Sequence, residues 1–296
     1  MHAFDYIAAK SIEQAVSLLS QHGENARLLS GGTDLIGQMR SGLRRLALLV
    51  DIKPVPEVNV LSYDPLQGLI IGAAVPCVRL CSDPAVLAHY PGLVDAVSLI
   101  GGVQIQSRAS LGGNLCNASP AADCIPALIV HEAECVIAGP GGHRKVAVEN
   151  FCTAPGLTIL QEGELLVSLH LPPPQAHSGL SYLRFTPRSE MDIAVVGAGA
   201  ALTLREDGCT VETARIALGA VAPTPLFVAE AGEVLAGRIA SAAAFEQAAL
   251  LAQKAAQPIS DLRGTSAFRK HLCAVLVRRA LQRALSRANE NQVGAG

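Results

Sequence analysis

Residues 28–35 read Leu28-Leu29-Ser30-Gly31-Gly32-Thr33-Asp34-Leu35 and give the first indication of how this chain folds. The apolar stretch 26–29 predicts a strand, and the residues after the glycine pair predict a helical turn over 34–40. Glycine adopts positive φ without penalty, and main-chain N–H groups at the start of a helix can hold an anion. A glycine pair between strand and helix is as often an ordinary turn, so both interpretations stay open for this segment alone.

A second glycine segment with a similar pattern lies much later in the chain. Residues 108–115 read Arg108-Ala109-Ser110-Leu111-Gly112-Gly113-Asn114-Leu115, and Asp123 follows shortly after. A dinucleotide diphosphate carries two negative charges, and two glycine segments could surround it with N–H donors while Asp123 accepts from ribose or adenine. The alternative is that Arg108 and Asp123 form structural ion pairs. Together the two segments favour a dinucleotide site.

A third glycine-containing stretch begins like the dinucleotide fingerprint GxGxxG. It reads Val195-Val196-Gly197-Ala198-Gly199-Ala200-Ala201-Leu202, with Leu202 where the third glycine should stand. No helix is expected to open there, and the stretch continues into strand alternation. We therefore expect these glycines to allow close packing of a strand.

The composition gives no sign of an electrostatic partner. The 23 basic and 25 acidic residues leave a net charge of -2, and they form no run of like charge, so neither nucleic acid nor an anionic membrane is expected. Aromatic residues make up 3% and tryptophan is absent, which leaves little surface for stacking bases. Apolar stretches are too short for a membrane span and the amino terminus lacks an export signal, so we expect a cytoplasmic protein.

No catalytic or metal motif is present. The sequence contains no HExxH zinc helix, no Walker loop and no arrangement typical of a catalytic triad, so we predict neither a catalytic residue nor a metal ligand in this chain. Eight cysteines occur without a CxxC pair in a chain too large to depend on disulfides. Most of them are predicted to be buried thiols.

The order of predicted elements indicates an α+β fold of roughly two domains. The first half mixes helices and strands irregularly and begins with a helix over 11–20, where Ser11 and Gln14 form a capping box. The proline-rich segment 171–179 predicts a domain boundary. After it, the patterns predict one antiparallel hairpin and then two helices, over 193–204 with 210–218, 242–257 and 267–285.

The chain resembles the FAD-binding medium subunit of the molybdenum hydroxylases, the family that includes xanthine dehydrogenase and aerobic carbon monoxide dehydrogenase. The resemblance covers nearly the whole chain. In the first half it rests on the two glycine segments and on Phe4-Asp5-Tyr6, Leu49-Val50-Asp51-Ile52 and Gln104-Ile105-Gln106-Ser107-Arg108. In the second half it rests on Met191-Asp192-Ile193-Ala194, Ala222-Pro223-Thr224-Pro225 and Arg269-Lys270-His271-Leu272.

This resemblance implies that the chain binds FAD. Asp123 would then lie on the adenosine side, and Leu166 and Arg184 at the isoalloxazine end. Arg184 stands where lysine is common in the family, and Ile100 stands where some relatives have an aromatic residue near the flavin. The diphosphate and neighbouring groups would lie against Leu28, Leu29, Ser30, Gly31, Gly32, Thr33, Asp34 and Leu35, and against Ser110, Leu111, Gly112, Gly113 and Asn114.

The resemblance also implies the domain organisation. Residues 1–177 would form a two-subdomain FAD-binding module of the vanillyl-alcohol-oxidase type. A small α+β domain of the carbon monoxide dehydrogenase flavoprotein type, an antiparallel sheet plus helices, would follow over 178–290, and 291–296 would be a tail. Some relatives hold an iron–sulfur cluster in an inserted cysteine-rich loop. Here Cys116, Cys124 and Cys135 lie in segments without an insertion, so no cluster is expected in this chain.

The function implied is electron transfer within a complex. The chain would take electrons from 2Fe-2S clusters in a small partner subunit, after a large subunit with a molybdenum cofactor has hydroxylated a substrate. It would pass them to NAD+, O2 or a quinone, in a dimer of heterotrimers. Two alternatives remain: a stand-alone FAD-dependent reductase related to the cell-wall precursor reductase, and a flavin-free assembly protein.

Overall fold

The computed structural model describes residues 2–189 and 191–293, and the chain begins with a small parallel sheet. Its strands are β1 (Asp5–Ala8), β2 (Ala26–Leu29) and β3 (Leu48–Asp51), in the order β1-β3-β2. Both outer strands run parallel to β3. Helix α1 (Ile12–His22) joins β1 to β2, and α2 (Leu35–Arg40) joins β2 to β3. The predicted strand and helical turn around the first glycine pair are confirmed.

Helix α1 forms where the capping pattern predicts it. Ser11 Oγ accepts from the N–H of Gln14 at 3.2 Å, and the Gln14 side chain accepts from the N–H of Lys10 at 2.8 Å. The second bond therefore reaches one residue further back than in the usual capping box. The helix ends at Gly23, whose φ of 51° is accessible to glycine.

A five-stranded antiparallel sheet completes the first half, in the order β4-β5-β10-β6-β7. A cluster of short helices separates its second and third strands along the chain. In chain order the elements are β4 (Leu61–Asp64), β5 (Gly68–Gly72), α3 (Cys77–Ser82), α4 (Pro84–His89), α5 (Pro91–Val97), α6 (Val103–Gln106), α7 (Leu111–Cys116), α8 (Cys124–Val130), β6 (Glu134–Gly139), β7 (Gly142–Ala147), a small β8 (Cys152–Ala154) and β9 (Leu157–Thr158) pair, and β10 (Leu165–Leu171). The largest apolar core of the protein lies between this sheet and these helices.

The second half is a four-stranded antiparallel sheet in the order β11-β12-β13-β14. Its elements are β11 (Ser178–Phe185), β12 (Val196–Leu204), β13 (Val211–Gly219), β14 (Leu226–Phe227), α9 (Ala229–Glu233), α10 (Ala242–Ala255) and α11 (Ser266–Val293). The predicted hairpin is β12–β13, and the two predicted helices are α10 and α11. Helix α11 continues to Val293, so residues 291–293 are helical where the resemblance implies a tail. Residues 294–296 lie outside the described part.

Strand β12 is buried on both faces of its sheet. Ala198, Ala200 and Leu202 pack in the core formed with the last two helices, whereas Ala201 belongs to the core of the first half. Alternate residues of a strand face opposite sides, so a strand covered on both sides is apolar throughout. The GxGxxG-like stretch is therefore a central strand, as expected for a stretch whose glycines allow close packing.

Asp95 is one of the acidic side chains that join the two halves. Asp95 of α5 accepts from Arg287 Nη1 at 2.6 Å and from Arg283 Nη2 at 2.9 Å, both on α11. It also accepts from the N–H of Tyr182 at 3.1 Å. Strand β11 is an edge strand, and Asp95 binds one of the N–H groups that β12 leaves unpaired. Across residues 2–189 and 191–293, no helix is both long and apolar enough to cross a membrane.

Candidate functional site

The two glycine segments meet in the folded chain. Ser30 Oγ and Ser110 Oγ are hydrogen-bonded at 2.9 Å across a separation of 80 residues. Gly31 lies directly against the main-chain carbonyl of Arg108, where a Cβ atom would overlap the carbonyl oxygen. A residue with a side chain at position 31 would thus force the segments apart. This contact brings the predicted diphosphate residues into one site.

The first segment offers main-chain donors from an open turn. Leu28 and Leu29 end β2 and are half-buried, whereas Thr33 and Asp34 are exposed and Leu35 opens α2. Gly32 has φ of 76°, the left-handed region that favours glycine. Within the part of the chain that the structure describes, the N–H groups of residues 31–35 donate to no protein acceptor. Unpaired N–H groups converging from a turn are what an anionic group requires.

The second segment is a short helix and not the loop that its sequence suggests. Ser110 is buried and caps α7, with its Oγ accepting from the N–H of Gly113 at 3.1 Å. Gly112 packs on Ala73 of the neighbouring loop, and a Cβ atom there would lie 2.5 Å from the Ala73 carbonyl oxygen. Leu111 is fully buried below the site, whereas Gly113 is exposed on it. The first glycine of this pair serves packing, and the second leaves the surface open.

Asn114 supplies the clearest sign that this surface holds a ligand. Its Oδ1 atom is buried and, among the described residues, has no hydrogen-bond partner. A buried polar atom without a partner costs free energy, so such atoms in native proteins usually have a partner or a function. Together with the free N–H groups and the close approach at Gly31, it fits a group bearing both anionic oxygens and hydroxyl or amide donors, as a dinucleotide does.

Lys53 stands beside the first segment and was not identified from the sequence. Its Nζ atom bonds Asp51 Oδ1 at 2.7 Å and lies 3.5 Å from the carbonyl oxygen of Ser30. Tyr6 donates to the other oxygen of Asp51 at 2.5 Å. Partial burial alone would raise the pKa of Asp51, but the hydrogen bonds from Lys53 and Tyr6 outweigh it and lower that pKa. The sequence contained a signal for Lys53, because this residue directly follows the motif Leu49-Val50-Asp51-Ile52.

Asp123 and Arg184, which the resemblance assigns to the adenosine side and to the isoalloxazine end, form one buried ion pair. Arg184 Nη1 donates to Asp123 Oδ2 at 2.6 Å, and the Tyr182 hydroxyl donates to Oδ1 at 2.8 Å. Burial raises the pKa of Asp123, and both donors oppose that shift. Asp123 pairs with Arg184 and not with Arg108, whose side chain is exposed. The two predicted residues therefore lie side by side in the folded chain.

Leu166 lies in β10 with its side chain in the main core, 3% exposed. The adjacent Val167 carbonyl accepts from the N–H of Ala73 at 2.9 Å, and Ala73 is the residue on which Gly112 packs. Strand β10 thus passes beside the second segment, with the Leu166 side chain in the core. Ile100 is half-buried and packs against the same core.

The cysteines named for a cluster are packed as apolar side chains. Cys124 and Cys135 are buried and Cys116 is half-buried, and all three are free thiols. Burial raises the pKa of Cys116 to about 12, and it also raises those of Cys124 and Cys135. Cys124 and Cys135 belong to the main apolar core, and Cys116 packs against it. Cys209 is the exposed member of the eight, and its thiol is also free.

The site and fold define a protein with a surface suited to an anionic dinucleotide, and comparisons with known proteins identify that dinucleotide as FAD. The family described as FAD binding domain in molybdopterin dehydrogenase matches residues 2–174. The CO dehydrogenase flavoprotein C-terminal domain matches residues 181–284.

Relatives align over nearly their whole length. The carbon monoxide dehydrogenase medium chain of Hydrogenophaga pseudoflava is 34% identical over 96% of this chain and 98% of its own. The xanthine dehydrogenase FAD-binding subunit of Escherichia coli O157:H7 is 31% identical over 96% of each chain. The solved carbon monoxide dehydrogenase from H. pseudoflava superposes with a TM-score of 0.92 at 33% identity, covering 97% of this chain and 98% of the other. The structure of quinoline 2-oxidoreductase from Pseudomonas putida 86 superposes with a TM-score of 0.89 at 29% sequence identity. It covers 97% of this chain and 99% of the other.

The chain belongs to the family of FAD-binding subunits of molybdenum-containing dehydrogenases. The resemblance seen in the sequence is confirmed, as is the α+β fold with an antiparallel C-terminal sheet and helices. The relatives are subunits of oxidoreductases, and this chain carries a domain for FAD.

Proposed function

We propose that this chain is the FAD-carrying electron-transfer subunit of a multi-subunit molybdenum hydroxylase. Its partners are a large subunit with the molybdenum cofactor and a small subunit with 2Fe-2S clusters, in a cytoplasmic dimer of heterotrimers. The acceptor is NAD+, O2 or a quinone. The observation that carries the proposal is the contact between the glycine segments at Ser30 and Ser110, with unpaired donors and Asn114 Oδ1 around it.

Each group of site residues has a distinct role in this proposal. Main-chain N–H groups of residues 31–35 and the start of α7 bind the diphosphate, and Asn114 Oδ1 accepts from a donor of the ligand. Asp123 and Arg184 lie at the isoalloxazine end, with the main chain of Leu166 nearby. When bound, FAD supplies the exchange between one-electron and two-electron carriers, so the protein has only to orient it and tune its surroundings. We also propose the domain division at 177/178.

A flavin titration with two matched glycine variants tests the site. Gly113 is exposed beside the unpaired donors, and a Cβ atom on it would meet only Ser110 Oγ within 4 Å, at 3.0 Å. Gly37, in the first turn of α2, has no atom within 4 Å of the position that a Cβ would take. Gly113→Val should place methyl groups where the ligand lies and weaken FAD binding about tenfold or more, roughly one lost charge-assisted hydrogen bond. Gly37→Val should bind FAD like the wild type. A wild-type chain that gains no flavin absorbance with added FAD contradicts the proposal.

Purification from the native host tests the complex. The match of residues 181–284 to the C-terminal domain of the carbon monoxide dehydrogenase flavoprotein supports a complex subunit over a stand-alone reductase, which needs a substrate domain with its own proton donor. The tagged chain should co-elute with molybdenum and iron in constant proportion. Isolated chain that reduces a substrate without partners would favour the reductase instead.

A further inference from the structure

The Asp123–Arg184 ion pair has a third member whose role goes beyond FAD binding. Tyr182 is 1% exposed, and its hydroxyl donates to the carboxylate oxygen that Arg184 leaves free. Tyr182 and Arg184 are two residues apart on β11, so their side chains lie on the same face of the sheet. The carboxylate is thus bound on both oxygens from one strand.

The opposite strand is adapted to the Tyr182 hydroxyl. Gly197 pairs with Arg184 in the β11–β12 register, and a Cβ atom on Gly197 would overlap the Tyr182 hydroxyl oxygen. Any larger residue at 197 would push the hydroxyl off the carboxylate. One glycine of the GxGxxG-like stretch is therefore accounted for by this hydrogen bond.

The main chain of Tyr182 is bound as firmly as its side chain. Its N–H donates to Asp95 Oδ2 at 3.1 Å, and Arg287 Nη1 donates to the same oxygen at 2.6 Å and to the carbonyl of Leu180 at 2.6 Å. Helix α11 thereby holds β11 in position next to Asp123. Tyr182 therefore links the position of β11 to the direction of its own hydroxyl and to the geometry of the Asp123–Arg184 ion pair.

We propose that Tyr182 is a positioning residue that holds Asp123 ionised against Arg184 and so sets the charge presented to the flavin. The inference rests on the proposed function, in which Arg184 lies at the isoalloxazine end. Without the hydroxyl, Asp123 keeps one donor in a buried place, where the uncharged form is favoured. The positive charge of Arg184 is then less balanced, and a positive charge favours the more negative, reduced flavin.

Equilibrium redox measurements on the FAD-loaded chain test this role. At a fixed redox potential of the solution, Tyr182→Phe should raise the ratio of reduced to oxidised flavin about tenfold. That factor corresponds to the free energy of roughly one hydrogen bond to a charged group. Gly197→Ala, which displaces the hydroxyl without removing it, should change the ratio in the same direction. Tyr90→Phe is the control, since Tyr90 is equally buried and donates only to the Pro172 carbonyl, at 2.9 Å.

The outcomes separate this inference from the proposed function. A wild-type chain that does not bind FAD overturns the proposed function. A wild type that binds FAD, with Tyr182→Phe giving the same ratio as Tyr90→Phe, overturns only the role of Tyr182. If Tyr182→Phe does not fold, Gly197→Ala decides, and an unchanged ratio in that variant overturns the inference.

Discussion

Asn114 shows how a single residue can reveal a ligand site. Its buried Oδ1 atom lacks a partner among the described residues, and the free chain bears the cost. Its position after the second glycine pair was visible in the sequence, but its burial was not.

Asn114→Leu should therefore have opposite effects on affinity and stability. FAD binding should weaken about tenfold, because a hydrogen-bond acceptor is lost. The free chain should keep its stability or gain up to about 1 kcal/mol, because an unsatisfied polar atom is removed. Flavin titration and urea unfolding measure the two effects. Equal affinity in the variant would show that Oδ1 does not touch the ligand.

His131 is a buried histidine that makes stability depend on pH. Burial lowers its pKa to about 3 from the ordinary 6.5, with the charge of Arg287 adding to the shift. Between those values the unfolded chain binds a proton that the folded chain does not. Stability is therefore lost as pH falls from 6.5 toward 3, by about 1.4 kcal/mol per pH unit from this residue.

His131→Leu should remove that slope. Urea unfolding at several pH values below 6.5 compares the variant with the wild type. His143→Leu is the control, because that imidazole is exposed. An identical slope in wild type and His131→Leu would mean that other groups dominate acid unfolding.

At the scale of secondary structure, the packing of β12 explains why this strand contains glycines spaced like those of a nucleotide fingerprint. The strand is covered by α8 on one face, and a Cβ atom on Gly199 would lie 2.8 Å from the Pro126 carbonyl oxygen. Close approach of main chains demands glycine in a packed strand just as it does beside a phosphate.

Gly199→Ala should destabilise the fold by about 1–3 kcal/mol, the usual cost of overpacking. Its methyl group meets main chain, which cannot move aside like a side chain. Gly141→Ala, with nothing near the added atom, should change stability far less. Thermal unfolding of both variants measures the difference, and equal melting temperatures would show that α8 can shift away from β12.

Elements with local signals are predictable from the sequence, and those defined by contacts are not. The capping pattern at Ser11 is enough to predict where α1 begins, and the aspartate–proline pair is enough to predict where α4 begins, because caps act within one turn. Helix α7 falls where the sequence suggests a loop, because two adjacent glycines disfavour a helix. Its first turn persists because Ser110 caps it and Gly112 packs on Ala73.

For the molecule as a whole, Asp95 ties the FAD half to the C-terminal helix. Removing its carboxylate takes away an acceptor that two arginines and an edge-strand N–H share. Asp95→Ala should lower the free energy of unfolding by about 3 kcal/mol, and the two halves should then unfold less cooperatively. Glu246→Ala, which breaks the exposed Arg278–Glu246 pair, should cost less than about 1 kcal/mol. Urea unfolding should show an earlier or split transition for Asp95→Ala, and coincident curves for the two variants would contradict this.

Local patterns in the sequence are enough to predict the α+β class and the two glycine segments, and the family follows from the resemblance of the motifs. These patterns are glycine where positive φ or close approach is needed, capping residues, and strand alternation. The folded chain was needed to show that Ser30 meets Ser110, that Asp123 pairs with Arg184, and that Tyr182 and Asp95 link the C-terminal half to the site. Those partners lie roughly 60 to 90 residues apart in the chain. Hydrogen bonds over such separations exist only once packing has brought both partners together, and no local pattern records them.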